Sequence, residues 1–130
     1  MKIERPSHRE IIGKLSGAKA AVSSGQVAFV NGRVIAADLL ELDILVEDLP
    51  ELLPRVLDEL NPELYRGARP PQKSYEETIK GCELYAFTWK SRTLGGDVYF
   101  KFALKNDWLW IVSFHGDRKA KGGEPDDLSQ

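Results

Sequence analysis

The last third of this 130-residue chain places Asp97, Tyr99, Lys101 and His115 on two stretches of strand-like alternation. Those residue types suit cleavage of an RNA phosphodiester. A 2′-hydroxyl must lose a proton, the phosphate must be held while its charge grows, and the departing 5′-oxygen must gain a proton. His115 has the intrinsic range for acid or base work, and Asp97 is a candidate to orient it. Lys101, Arg66 or Arg92 offers the cation that stabilises the phosphorane. Tyr99 is suited to donate a proton or to stack on a base. Lys90, Arg92 and Arg118 add charge for binding an RNA backbone. No metal-ligand spacing accompanies these residues, so the chemistry calls for no metal and no cofactor. A histidine near a strand end equally suits a hydrogen-bonded surface position. His8 and Cys82 read as an ordinary helix-start residue and an ordinary strand-end thiol.

The elements that must carry these side chains are legible in part. Val98, Phe100, Phe102 and Leu104 alternate with polar or small residues, as do Trp108, Trp110, Val112 and Phe114 with their neighbours. Both runs have the period of a strand. The two apolar sets are even-numbered and must share a face. A two-residue loop would put them on opposite faces, so a three-residue turn at Lys105, Asn106 and Asp107 is expected. That turn pairs 104 with 108, 102 with 110, 100 with 112 and 98 with 114. The even residues then form a slab of eight large side chains that helices must cover, core rather than a stacking platform for bases. On the odd face Tyr99 falls opposite Ser113, Asp97 opposite His115 and Lys101 opposite Ile111. A preceding strand over 83–90 is expected alongside, joined through 91–96, with its register open.

Earlier segments read as helices. Ser7 and Glu10 form a capping box ahead of Ile11, Ile12, Leu15, Ala18 and Val22, and Gly25 is a natural stop, which predicts a helix over 7–24. A short strand at 26–30, a turn at Asn31 and Gly32 and a short helix within 35–42 follow. A further helix contains Leu52, Leu53, Val56, Leu57 and Leu60, with Pro54 in its first turns or kinking it. Asn61 and Pro62 suit a cap and the first position of a short turn. The stretch 67–75, with Pro70 and Pro71, reads as a mobile loop.

The length predicts one domain over 1–118 with a disordered tail at 119–130. A 42% hydrophobic and 29% charged composition suits a soluble globular protein, and the lone Cys82 excludes a disulfide framework. No apolar run reaches the ~18 residues of a membrane helix, and 1–10 lacks the apolar stretch of a signal peptide. No membrane association and a cytoplasmic location are the expectation. The net charge of −2 resolves into +3 over 1–25, −7 over 26–63, +4 over 64–119 and −2 over 120–130. Every nominated site residue lies in the +4 segment. The odd face of the hairpin is therefore expected to be basic, with the acidic segment off the RNA path.

Several segments resemble the MqsR family of toxins, the motility quorum-sensing regulator type within the RelE-like RNA interferases. The likeness runs over about 10–116. It is carried by Val22-Ser23-Ser24-Gly25-Gln26-Val27, Ala37-Asp38, Leu42-Asp43 and Glu63-Leu64-Tyr65-Arg66-Gly67. In the closing hairpin it is carried by Val98-Tyr99-Phe100-Lys101, Asp107 and Ile111-Val112-Ser113-Phe114. The resemblance implies an α+β, RelE-like fold, a twisted antiparallel sheet with helices on one face. It also implies a metal-independent endoribonuclease that cuts mRNA and a cognate antitoxin partner. The family's active-site lysine in its acid-Phe-Tyr-Lys segment falls on Arg66, its tyrosine on Tyr99 and its final lysine on His115. Its active-site glutamine falls near Glu83 to Tyr85, where this chain has none. Arginine keeps the charge of lysine but cannot serve as a base, and histidine is a better base near neutrality. The tail after Gly116 also departs from the family.

Two other classes fit the same residues. One is a catalytically weakened protein that keeps the fold and binds an antitoxin or another regulator, which the lost glutamine favours. The other is a nucleic-acid-binding domain without chemistry.

Overall fold

The computed structural model of the chain describes residues 4–117. Arg118 and the tail 119–130 lie outside the described residues. Helix α1, His8–Ser23, begins where Ser7 Oγ accepts from the Glu10 amide at 3.0 Å and Glu10 Oε1 accepts from the Ser7 amide at 3.2 Å. It buries Ile11, Leu15, Ala18 and Ala21, one stripe at helical spacing, and leaves Ile12 exposed. Gly25, at φ 70°, ends it, with the Gln26 amide donating to the Ala21 carbonyl at 2.8 Å. Strand β1 is Val27–Phe29.

Asn31 starts a helix rather than a turn. Its Oδ1 accepts from the Val34 amide at 3.3 Å and caps α2, Gly32–Leu40. Asparagine serves turns and N-caps through the same side-chain acceptor, so the local signal does not separate them. Helix α3, Leu49–Asp58, contains Pro54 on an exposed side and buries Leu49, Leu53, Val56 and Leu57.

Strands β2 (Tyr85–Ser91), β3 (Gly96–Lys105) and β4 (Trp108–Gly116) complete a four-stranded sheet of order β1-β4-β3-β2. The fold is α+β, but the sheet is mixed, not antiparallel throughout. β1 runs parallel to β4, with Val27 beside Leu109 and Phe29 beside Ile111. The two strands are far apart in sequence and α2, α3, β2 and β3 lie between them, so no hairpin constrains their direction. The helices pack on one face, against Phe87, Phe100, Phe102, Leu109, Ile111 and Phe114. Gly17 lets α1 lie close to the sheet, because a Cβ there would fall 2.8 Å from Leu104 Cδ1.

The hairpin register differs from the expected one in two places. The turn holds two residues, Asn106 at φ 52° and Asp107 at φ 68°, and Lys105 pairs with Trp108. Paired positive φ values match the right-handed twist of flanking strands, which favours the two-residue turn. Even then meets odd: Ala103 faces Trp110 and Phe102 faces Ile111. A β-bulge at Val112 restores the parity. Beyond it Lys101 faces Ser113, Phe100 faces Phe114, Tyr99 faces His115 and Val98 faces Gly116. The core face of β4 is therefore Leu109, Ile111 and Phe114. Trp108 is 38% exposed, and Trp110 packs on the opposite side of the sheet. The expected even-numbered slab holds only on β3 and at Phe114.

The segment 65–84 is tied down rather than looping away. Tyr65 bridges Phe87, and Lys73 bridges Glu83. The Leu84 amide donates to the Gln72 carbonyl at 2.8 Å, and the Ser74 amide to the Cys82 carbonyl at 2.9 Å. Ile79 and Leu84 then cover the turn-proximal half of the second sheet face, packing with Ala103, Cys82, Trp110 and Val112. The half nearest His115 is outside this cover.

Candidate active site on the second sheet face

Strand alternation sends Tyr85, Phe87 and Trp89 into the core and turns Ala86, Thr88 and Lys90 to the other face. The ladder sets Thr88 opposite Tyr99 and Tyr99 opposite His115, so these three side chains form a row across β2, β3 and β4. The next row is Ala86, Lys101 and Ser113. The Tyr99 and His115 rings stack, centroids 5.1 Å apart and planes 20° from parallel. Lys101 Nζ lies 6.0 Å from the Tyr99 ring centroid.

His115 Nδ1 lies 2.6 Å from the Gly116 carbonyl oxygen. A carbonyl only accepts, so Nδ1 carries the hydrogen and the neutral ring keeps its lone pair on Nε2. Burial raises the Tyr99 phenol above its ordinary 10.0, and the charge of Asp117 raises it further. The phenol therefore holds its proton at neutral pH. Burial lowers the Lys101 amine from its ordinary 10.5.

Asp97 does not face His115. It pairs with Lys90, and its carbonyl accepts the Asp117 amide at 2.9 Å. The reason is the altered register: the two-residue turn and the bulge together move His115 from Asp97 to Tyr99. Ser113 likewise moves from Tyr99 to Lys101, and Ile111 leaves this face for the core.

Neither a protein-family profile nor a curated protein matches the chain.

Arg66, Lys90 and Arg92 gather at the β2 edge of the sheet. The Arg66 amide donates to the Ala86 carbonyl at 2.8 Å, and its Nη1 donates to the Glu63 and Tyr65 carbonyls, each at 3.0 Å. The three cations line a groove of about 530 Å³ with Leu64, Thr88, Trp89, Asp58 and Glu59. Thr88 belongs to both the groove and the Tyr99 row. Two residues of the acidic segment thus reach this edge, against the expectation that the segment stays clear of it. Glu59 is already engaged: it accepts from Trp89 Nε1 at 2.8 Å, from the Thr93 amide at 2.9 Å and from Thr93 Oγ1 at 2.6 Å. Burial alone would raise its carboxyl, but the bonds from Thr93, Trp89 and Ser91 bring it down to about 2.

Thr88 and Asp117 are the site residues that sequence reasoning missed. Thr88 was hidden by the open register of 91–96; the loop is Arg92 to Gly95, closed by a Ser91–Gly96 pair. Asp117 lies just past the alternating run, where no periodicity marks it. Glu83, near the position where the resemblance would put a glutamine, has a structural role. It accepts from Arg5, shared with Glu10, and from the Tyr85 hydroxyl at 3.0 Å. The bond from Arg5 holds its carboxyl below the ordinary 4.5. Among the described residues no group of three or more His, Cys, Asp or Glu side chains is placed to hold a metal, and no helix is long and apolar enough to cross a membrane.

Proposed function

We propose that the protein is a RelE-like, MqsR-type toxin: a metal-independent endoribonuclease that cleaves mRNA in the cytoplasm and is held in check by a cognate antitoxin. The observation that carries this reading is the Tyr99–His115 stack, on the face opposite the helices, with Lys101 beside it and three cations at its edge. His115 Nε2 takes the proton of the 2′-hydroxyl. The 2′-oxygen bonds to phosphorus while the bond to the 5′-oxygen breaks, and Tyr99 gives its phenolic proton to that oxygen. Lys101 balances the charge growing on the phosphoryl oxygens. Arg66, Lys90 and Arg92 hold the flanking phosphates. The products are a 2′,3′-cyclic phosphate and a 5′-hydroxyl. The proton on His115 returns to the tyrosinate through solvent, which restores both groups.

The test is incubation of single-stranded RNA in EDTA with the parent, His115→Ala and Tyr99→Phe. Cleavage by the parent and its loss in both variants is the expected result. An inert parent, or variants that cut equally well, overturns the proposal. Growth arrest on expression, relieved by a small neighbouring gene product, tests the toxin reading separately. Asp97 and Asp117 beside the Tyr99 row favour one other reading, a protein-binding face without chemistry. Antitoxin binding by a parent that leaves RNA intact would select it.

A further inference from the structure

The bulge at Val112 has a consequence for the whole of β4. Without an extra residue, Trp108 and Trp110 would face away from His115, because their numbers differ in parity. With it, Trp108, Trp110, Ser113 and His115 share one face of the strand. Trp108 is 38% exposed. Trp110 is half-buried, packed on one side by the cluster of Ile79, Leu84 and Ala103. The two rings line a mostly apolar hollow of about 420 Å³ with Ala28, Lys105 and Asn106. Lys105 is held at its rim, its Nζ donating to the Thr78 carbonyl at 2.7 Å.

We propose that Trp108 and Trp110 form a base-stacking subsite for single-stranded RNA whose scissile phosphate lies at Tyr99 and His115. The inference rests on the nuclease reading of that pair. The occupant follows from three features together. Flat aromatic faces accept any base without demanding a sequence. Lys105 supplies positive charge at the same rim, which fits a phosphate beside the stacked base and not an uncharged apolar segment. The hollow also lies on the same strand face as the candidate chemistry. Trp110 and His115 lie opposite Ala103 and Tyr99, which are four residues apart on β3, roughly 13 Å at a strand's rise of ~3.3 Å per residue. That is the span of a few nucleotides, so one RNA strand running along β4 reaches both. Stacking at this distance would set which segment of a strand is presented for cleavage while leaving the bond-breaking step untouched.

The experiment titrates the full chain, following tryptophan fluorescence, with a single-stranded oligodeoxynucleotide that lacks the reacting 2′-hydroxyl. An abasic strand of equal length and charge is titrated in parallel. Trp89 lines the groove of Arg66, Lys90 and Arg92, so the quenching assigned to the subsite is the part lost in Trp108→Ala, which keeps Trp89. The expected result is quenching by the base-bearing strand and not by the abasic one. Affinity should fall roughly tenfold in Trp108→Ala and be mostly retained in Trp108→Phe, with unchanged thermal unfolding in the latter. Equal binding of the two strands, or an unchanged affinity in Trp108→Ala, overturns the proposal. Concentration-dependent sedimentation that Trp108→Ala abolishes, with oligonucleotide affinity intact, overturns it in favour of a contact between copies of the chain. The two readings fail separately. Quenching by bases with RNA left uncut supports the subsite and sinks the nuclease; RNA cleavage with Trp108→Ala binding as the parent does the reverse.

Discussion

Tyr99 and His115 sit directly opposite each other on β3 and β4 with their rings stacked at 5.1 Å. The pair is the product of a two-residue turn and a bulge acting together, and in the proposed mechanism its members act in one proton-transfer cycle. Groups that act as a unit are strongly non-additive when removed. His115→Ala and Tyr99→Phe should each lower single-turnover RNA cleavage by about 10²–10⁴-fold. The double variant should lose little more than the worse single one. Rates multiplying independently would show that the two residues do not share a step.

The Tyr99 phenol should ionise above 10.0, because burial first and the Asp117 charge second oppose its anion. Difference spectra between the parent and Tyr99→Phe isolate it from the other tyrosines. Asp117→Asn should lower the midpoint but leave it above 10.0, since burial remains. Below that pH both folded and unfolded chains hold the proton. As pH rises through it the unfolded chain ionises first, so this group's contribution to stability falls.

Glu59 ties the end of α3 to Trp89 and Thr93. Its carboxyl at about 2, against an ordinary 4.5, means that its contribution is complete above 4.5 and is lost as pH falls toward 2. Glu59→Ala should cost about 1–3 kcal/mol at neutral pH by stranding part-buried donors. Urea unfolding at pH 7 and pH 3 should show the difference between parent and variant shrinking at the lower pH.

Asp107 occupies the second position of the hairpin turn at φ 68°. Asp107→Gly should stabilise the protein by about 0.5–1 kcal/mol, because glycine adopts that conformation without steric cost. The urea midpoint should rise with an unchanged slope. Asp107→Val should lower it.

Phe100 is fully buried between Phe102 and Phe114 and faces Phe114 across the hairpin. Phe100→Leu should cost about 1–2 kcal/mol and Phe100→Ala about 3–5 kcal/mol, as the cavity grows. Thermal unfolding of the two variants would order them, and equal midpoints would show that the core refills the space.

The amino-acid sequence by itself determined what depends on neighbours. Ser7 and Glu10 are three residues apart, so their reciprocal bonds and the stripe of Ile11, Leu15 and Ala18 specify α1 locally. The alternation of Val98, Phe100 and Phe102 likewise specifies a strand and its buried side. The candidate residues His115, Tyr99, Lys101 and Arg66 were legible as types, but not their mutual positions. Those depended on register, a property of hydrogen bonds between strands and of which side chains the core accepts. Two positive φ values shortened the turn. One extra residue at Val112 then put Phe114 into the core and His115 against Tyr99. Only the tertiary structure decided that Trp108 and Trp110 leave the core, that β1 lies parallel to β4, and that Thr88 joins the Tyr99 row. A bulge leaves the local alternation looking like an ordinary strand, so its effect appears only once the partner strand is in place.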